Sequence, residues 1–243
     1  IDGRLFGRGS GDNKSGVVVH YNVIKQLMDE LPVNIKVFIE GEEEIGSPTM
    51  ALFIEQNREA LEADVIIIAD SGNVKIGVPT ITTTLRGLVD GIIEVDQPMR
   101  PIHSGVGGGV VPDAFMVLSR IISSFHDDKG NLMIEGLTST DMKVTELEES
   151  FLKKMLGSDD IALFDTESIS KRLWLEPALD VLAIDAPPVK EAVNLVIPKA
   201  RAKVSLRLPP TEDPDHAMKM LEEHIMKNIP WDASVKFIPN SKG

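Results

Sequence analysis

Glu40-Gly41-Glu42-Glu43-Glu44-Ile45-Gly46-Ser47 is the stretch on which the reading of this chain turns. It follows Val33, Ile35, Val37 and Ile39, an alternation that predicts a strand. Four carboxylates in five residues at a strand end repel one another and serve no packing purpose. A solvated acidic loop is the plain alternative. Two further acidic features bear on the choice. Asp12 lies in the glycine-rich turn Gly7-Arg8-Gly9-Ser10-Gly11-Asp12-Asn13-Lys14, and Asp70 ends the apolar run Val65-Ile66-Ile67-Ile68-Ala69. That run has no alternation, as in a strand buried on both faces. Ligands of open α/β sheets collect at the carboxyl ends of the strands. These carboxylates are therefore expected along one rim, where a divalent cation would relieve their repulsion.

Outward from this stretch, Ile1 to Gly16 reads as a short strand and a glycine-rich loop. The loop lacks the Gly-Lys-Ser/Thr ending and the spacing of a phosphate-binding P-loop. Val17 to Leu31 predicts a helix with Val18, Tyr21, Ile24, Leu27 and Met28 on one face, ended by Pro32. Pro48 suits the first turn of a second helix running to about Ala60. Strand, helix, strand, helix, strand is a βαβ pattern and implies a parallel or mixed sheet. From Leu88 the character changes. Leu88 to Val95, Leu179 to Ile184, Ala200 to Leu208 and Ser234 to Ile238 predict strands. Leu132 to Ile134 reads as a short strand. Helices are expected after Pro112-Asp113 and after Asp213-Pro214. Thr140 to Asp160 reads as an amphipathic helix with Leu147, Phe151, Leu152 and Met155 inward. The fold class is α/β, with an antiparallel sheet and two main helices forming an α+β layer in the second part.

The 243 residues are 42% hydrophobic, which excludes global disorder. A formal charge of -13 argues against nucleic acid and against an anionic membrane surface. No cysteine is present, so neither disulfides nor thiolate metal sites are possible. No apolar run reaches the ~20 residues of a membrane span. The N-terminus has neither a signal-peptide pattern nor an initiator Met and is expected to be an internal start. A cytoplasmic location is compatible with all of this.

Gly-Arg-Gly-Ser-x-Asp-Asn-Lys, then Glu-Glu-x-Gly-Ser, then Asp70, then His103-Ser104-Gly105 resembles the two-zinc amidohydrolase and metallopeptidase family. That family includes carnosinase-type dipeptidases, glutamate carboxypeptidase, aminoacylase and succinyl-diaminopimelate desuccinylase. The resemblance implies a phosphorylase/hydrolase-like catalytic domain, of which residues 1–87 are a part, and a lid and dimerisation domain over residues 88–243. It makes Asp12 the bridge between two zinc ions, with Glu44 on one and Asp70 on the other. Manganese or cobalt would suit the same donors. Glu43 becomes the general base that takes a proton from the attacking water. Adjacent residues of an extended chain point to opposite sides, which separates Glu43 from Glu44 without assigning them; the family assigns them. Where this chain has Asn13, the family usually has a second Asp.

His103, by the same resemblance, stabilises the developing oxyanion; an exposed loop histidine is the alternative. Arg207, ending Val204-Ser205-Leu206-Arg207, would hold the substrate carboxylate bidentately, or be a surface strand arginine. Asn194, before Val196-Ile197-Pro198, is a further substrate-binding candidate. The family also supplies one zinc-binding His from a His-x-Asp strand before the glycine-rich loop and another late in the chain, and neither pattern occurs here. The expectation is a central piece of a dipeptidase or carboxypeptidase-like enzyme, inactive alone, acting on a peptide or amide near a free carboxylate. An N-acyl amino acid deacylase and a non-catalytic dimerisation or binding module are the alternatives. A homodimer through the lid is expected.

Overall fold

The computed structural model describes residues 3, 6–73 and 77–243. The short strand expected at the very start lies outside the described residues. The chain divides into two compact units, Ile1–Thr82 and Thr83–Gly243.

The first unit is built on α1 (Lys14–Leu27), a 3₁₀ turn over Glu43–Ile45, α2 (Met50–Gln56) and α3 (Arg58–Leu61). Asn13 caps α1 by accepting from the Gly16 amide at 3.1 Å. The single helix expected from Pro48 to Ala60 is broken at Asn57, whose non-helical backbone (φ -120°, ψ 24°) separates α2 from α3. The expected parallel or mixed sheet is not seen among the described residues of this unit. Among its described residues no strand occurs, and the 33–40 and 64–70 segments are unpaired. Their side chains are exposed on both faces, with Val65 to Ile68 each more than 70% accessible. The sequence pattern was that of doubly covered strands, and such strands need neighbours on both edges and helices on both faces. Two of them alone form no stable ladder. Local order instead comes from Phe38 stacked on Phe53 at 5.1 Å and from Lys36 Nζ donating to the Glu62 carbonyl at 2.7 Å.

In the second unit the expected α+β layer is present. Its elements are β1 (Gly87–Asp96), β2 (Ile102–His103), α4 (Ser104–Gly107), α5 (Ala114–Ser123), α6 (Glu149–Leu156), α7 (Ile169–Trp174), β3 (Ala178–Asp185), β4 (Leu195–Val196), β5 (Lys199–Leu208), α8 (Pro214–Lys227) and β6 (Val235–Lys242). A four-stranded antiparallel sheet runs β3-β5-β1-β6, and β2 and β4 form a separate two-stranded ladder. Alternation along β1 and β5 sends Val89, Ile93, Val95, Ala202, Val204, Leu206 and Leu208 into the core. There they meet Val117, Leu118 and Ile121 of α5 and Leu221 and Ile225 of α8. Gly91 is a glycine because a methyl group there would run into the Phe237 ring. Both main helices begin where the sequence predicts. Asp113 accepts from the Phe115 and Met116 amides, and Asp213 accepts from the His216 amide ahead of Pro214.

The long connection between α5 and β3 differs from the sequence reading. The strand expected at Leu132–Ile134 is reduced to one bridge, His126 to Leu132. Of the helix expected over Thr140–Asp160, only Glu149–Leu156 is helical. Residues before it are extended and pinned by polar contacts. The Thr138 amide and hydroxyl both donate to Glu212 at 2.8 and 2.7 Å, Thr140 and Thr211 share a 2.7 Å hydrogen bond, and the Leu147 amide donates to buried Ser170. These long-range contacts hold Leu147 outside the helix although its spacing from Phe151, Leu152 and Met155 is helical.

Candidate catalytic and substrate-binding residues

Within the first unit, Asn13 joins two of the acidic positions. Its Nδ2 donates to the Ala69 carbonyl at 2.6 Å, tying the turn that carries Asp12 to the segment that ends in Asp70. The turn itself is closed by the Ser10 amide to Gly7 and the Lys14 amide to Gly9. A methyl at Gly16 would run into the same Ala69 carbonyl, so α1 approaches that segment closely only through glycine.

The acidic run divides into structural and free carboxylates. Glu42 accepts from the Thr49 hydroxyl at 2.5 Å and the Thr49 amide at 3.3 Å, anchoring the start of α2. Glu43 and Glu44 occupy the 3₁₀ turn, closed by Gly46 at φ 84°. They are not on an extended strand, so strand alternation does not separate them. A 3₁₀ turn does, by about 120° between successive residues. Glu40 keeps one oxygen, Oε1, buried without a hydrogen-bond partner. The Glu43 carboxyl is pushed above the usual carboxylate value, first by desolvation and then by the charges of Glu44, Asp70, Asp12 and Glu40. Glu43 thus senses the charges of the other four. Among the described residues, no three His, Asp or Glu side chains converge closely enough to hold a metal ion. The donor chemistry nevertheless fits a divalent cation: all-oxygen ligands, mutually repelling, with an orphaned buried oxygen beside them.

In the second unit the structure brings His103 and Asn194 together. His103 pairs with Leu195 across the β2-β4 ladder, and the next amide, Ser104, donates to the Asn194 carbonyl at 2.9 Å. His103 Nδ1 accepts from the Gly105 amide at 3.1 Å and caps α4. With Nδ1 engaged as acceptor, the neutral ring carries its proton on Nε2, leaving an exposed donor. The glycines that follow are packed: Gly107 against Ile102, and Gly108 against the Ser104 carbonyl. Arg207 lies apart from this pair, exposed on the sheet face opposite the helices. On that face β1 and β5 match charges: Lys199 with Asp96 at 2.9 Å, Arg201 with Glu94 at 3.4 Å and Lys203 with Asp90 at 3.6 Å. The matching stops at Arg207, which faces Leu88 on one side and Ala178 on the other.

His216 and His224 are structural. His216 bonds Glu212 at 2.7 Å, and buried His224 meets Ser124 through Nε2 and stacks on Phe125. Sequence reasoning missed Glu42 as an anchor, because its partner Thr49 lies outside any capping pattern.

The sequence profile of peptidase family M20/M25/M40 matches residues 1–238. A cysteinylglycine-S-conjugate dipeptidase from Corynebacterium striatum is 37% identical over 242 residues, covering 97% of this chain and 53% of the relative. The crystal structure of human carnosine dipeptidase 1 superposes with a TM-score of 0.77 at 28% identity, covering 99% of this chain and 54% of that one. An M20 family metallo-carboxypeptidase from Sulfolobus solfataricus gives 0.74 at 29% identity, covering 96% and 56%. The chain spans about half the length of the curated relatives it matches.

Proposed function

The chain belongs to peptidase family M20/M25/M40, and on that premise we propose that the whole protein is a metal-dependent dipeptidase. It cleaves an amide bond close to a free carboxylate. The observation that carries this reading is the Asn13–Ala69 hydrogen bond, which ties the Asp12 turn to the segment ending in Asp70; beside it the Glu43 carboxyl is raised above the usual carboxylate value, first by desolvation and then by the charges of Glu44, Asp70, Asp12 and Glu40. Two of the relatives are named for cysteinylglycine conjugates and for β-Ala-His, both small peptides.

Asp12, Glu44 and Asp70 would hold a divalent metal, zinc in the first instance, with manganese and cobalt as substitutes. When bound, the metal supplies electrophilic activation of water and of the scissile carbonyl. The remaining chemistry belongs to side chains of this protein. Glu43 takes the proton from the attacking water and returns it to the leaving nitrogen as the carbon–nitrogen bond breaks. His103 donates from Nε2 to the oxyanion. Arg207 holds the substrate carboxylate through two parallel N–H bonds, and Asn194 contacts the substrate beside His103. Residues 88–243 act as lid and dimerisation surface. The 243-residue chain alone is expected to turn over dipeptides poorly, since it carries neither of the two histidine patterns that the family resemblance calls for.

The test is reconstitution. The full-length protein, stripped by a chelator and reloaded with zinc, manganese or cobalt, is assayed on a panel of dipeptides and N-acyl amino acids. Dipeptide hydrolysis that needs added metal supports the proposal. Hydrolysis of N-acyl amino acids only, or no hydrolysis with any of the three metals, overturns it.

A further inference from the structure

The short β2-β4 ladder sets Ile102 opposite Val196 and His103 opposite Leu195. Residues directly opposite in an antiparallel pair project to the same face. Val196 is buried, and Gly107 of α4 closes on Ile102, so that pair marks the inward face. His103 and Leu195 share the outward one. The backbone bonding brings these two close. The Ser104 amide donates to the Asn194 carbonyl at 2.9 Å, one residue after His103 on one strand and one before Leu195 on the other. A bond placed there flanks a pair that exchanges none of its own, the class in which Cα atoms lie about 4.5 Å apart and side chains come closest. The Leu195 amide turns away to the Val193 carbonyl at 2.7 Å. Leu195 remains 38% exposed. An exposed leucine is ordinary by itself. This one stands directly across from a histidine whose Nε2 is a free donor, because its Nδ1 is taken by the Gly105 amide.

A peptide offers the complement of this pair. Its scissile carbonyl oxygen accepts a hydrogen bond, and the side chain of the same residue branches from the adjacent carbon. We infer that Leu195 is a specificity-determining residue that receives this side chain, and that the site favours dipeptides whose N-terminal residue is aliphatic or a thioether. The inference rests on the peptidase reading, which puts the scissile carbonyl at His103. An N-terminal glycine leaves Leu195 in water. An N-terminal leucine takes apolar surface out of water on both partners. An N-terminal aspartate would lay its carboxylate against Leu195 and lose hydration there without gaining a partner.

The experiment uses the full-length, metal-loaded protein. kcat/KM is measured for leucylglycine and glycylglycine in the wild type, in Leu195→Ala and in Leu195→Met. The wild type prefers leucylglycine. Leu195→Ala lowers that preference by about fivefold or more, and Leu195→Met, which keeps the apolar volume, restores it. A second readout needs no turnover. In Glu43→Gln carrying 13C-labelled leucine methyl groups, the Leu195 signals are assigned by their loss when Leu195→Ala is added. Saturating leucylglycine moves them at least about twice as far as glycylglycine does, while both peptides move the His103 Nε2 signal. The inference is overturned by a wild type without the preference, by a preference unchanged in Leu195→Ala, or by Leu195 methyls unmoved by leucylglycine that moves His103. Leu195 methyls that respond in a protein hydrolysing no dipeptide leave the contact standing and sink the peptidase reading. Peptides that move neither residue overturn both.

Discussion

Asn13 and Ala69 are joined by a 2.6 Å hydrogen bond from the Asn13 amide nitrogen to the Ala69 carbonyl, and through it Asp12 and Asp70 are held in one neighbourhood. The bond needs a donor. An aspartate at position 13 would still cap α1 but would present an acceptor to a carbonyl oxygen. Asn13→Asp is therefore expected to destabilise the metal-free protein by about 1–3 kcal/mol. Urea unfolding checks this, and an unchanged midpoint would show that the bond contributes nothing. Saturating divalent metal should recover part of the loss, because it neutralises the added charge.

Glu43 and Glu44 are adjacent and predicted to differ. In the full-length protein Glu43→Gln leaves metal content intact and lowers kcat by ~10²–10⁴, the usual worth of a general base. Glu44→Gln lowers metal content. Elemental analysis beside kinetics separates the two, and zinc lost from the first variant but kept by the second would reverse the assignment. Glu42→Gln should do neither. It weakens the anchor at Thr49 and lowers stability by about 0.5–1.5 kcal/mol.

How much of this was legible in the sequence depended on distance along the chain. The caps Asp113 and Asp213 were readable because a cap and its amides lie within three residues. The strands β1 and β5 were readable because alternation is local and the sheet buries one face. Val65 to Ile68 read as a strand buried on both faces, but its pairing depends on strands elsewhere, and none is present among the described residues of that unit. Leu147 misled the helix prediction because its burial answers to Ser170, a contact that periodicity cannot express. Within the acidic run, the residue pattern by itself could not separate Glu42 from Glu43, and it was the family resemblance that assigned Glu43. Only Thr49, seven residues from Glu42, makes one structural and leaves the other free.

His224 provides a pH-dependent stability. Burial pulls its pKa below the usual histidine value, and Lys227 adds to this. The carbonyls of Ser124 and Met133 and the charge of Glu135 oppose it without prevailing. The unfolded chain therefore binds the proton more readily than the folded one. The contribution is complete above the ordinary histidine pKa of about 6.5 and is lost as pH falls from there through the depressed folded value. The melting temperature of the wild type should drop between pH 7 and pH 5.5, and the drop should be smaller in His224→Phe, which keeps the stack on Phe125. Equal slopes would assign the pH dependence to other groups.

The last prediction concerns assembly, and β3 carries it. This edge strand exposes Val181, Leu182 and Ile184, whereas the opposite edge, β6, is guarded by Lys236, Pro239 and Lys242. β3 carries exposed Asp180 and Asp185 near its ends, but the apolar stretch between them invites pairing, and two copies of β3 can meet antiparallel about a two-fold axis, each using the same residues. In the proposal, such a dimer through the 88–243 region would let His103 act on the carboxylates of the neighbouring copy. Its own loop is packed at Gly107 and Gly108. Leu182→Lys should shift the full-length protein to monomer in sedimentation experiments, and activity should fall with the dimer. Mixed-dimer complementation tests the histidine. His103→Ala and Glu43→Gln subunits are each inactive alone. In a hybrid with His103 acting across the interface, one site carries both defects and the other carries neither, so part of the activity returns on mixing. No recovery, with hybrid formation confirmed by mass, would place His103 in its own subunit's site or outside catalysis.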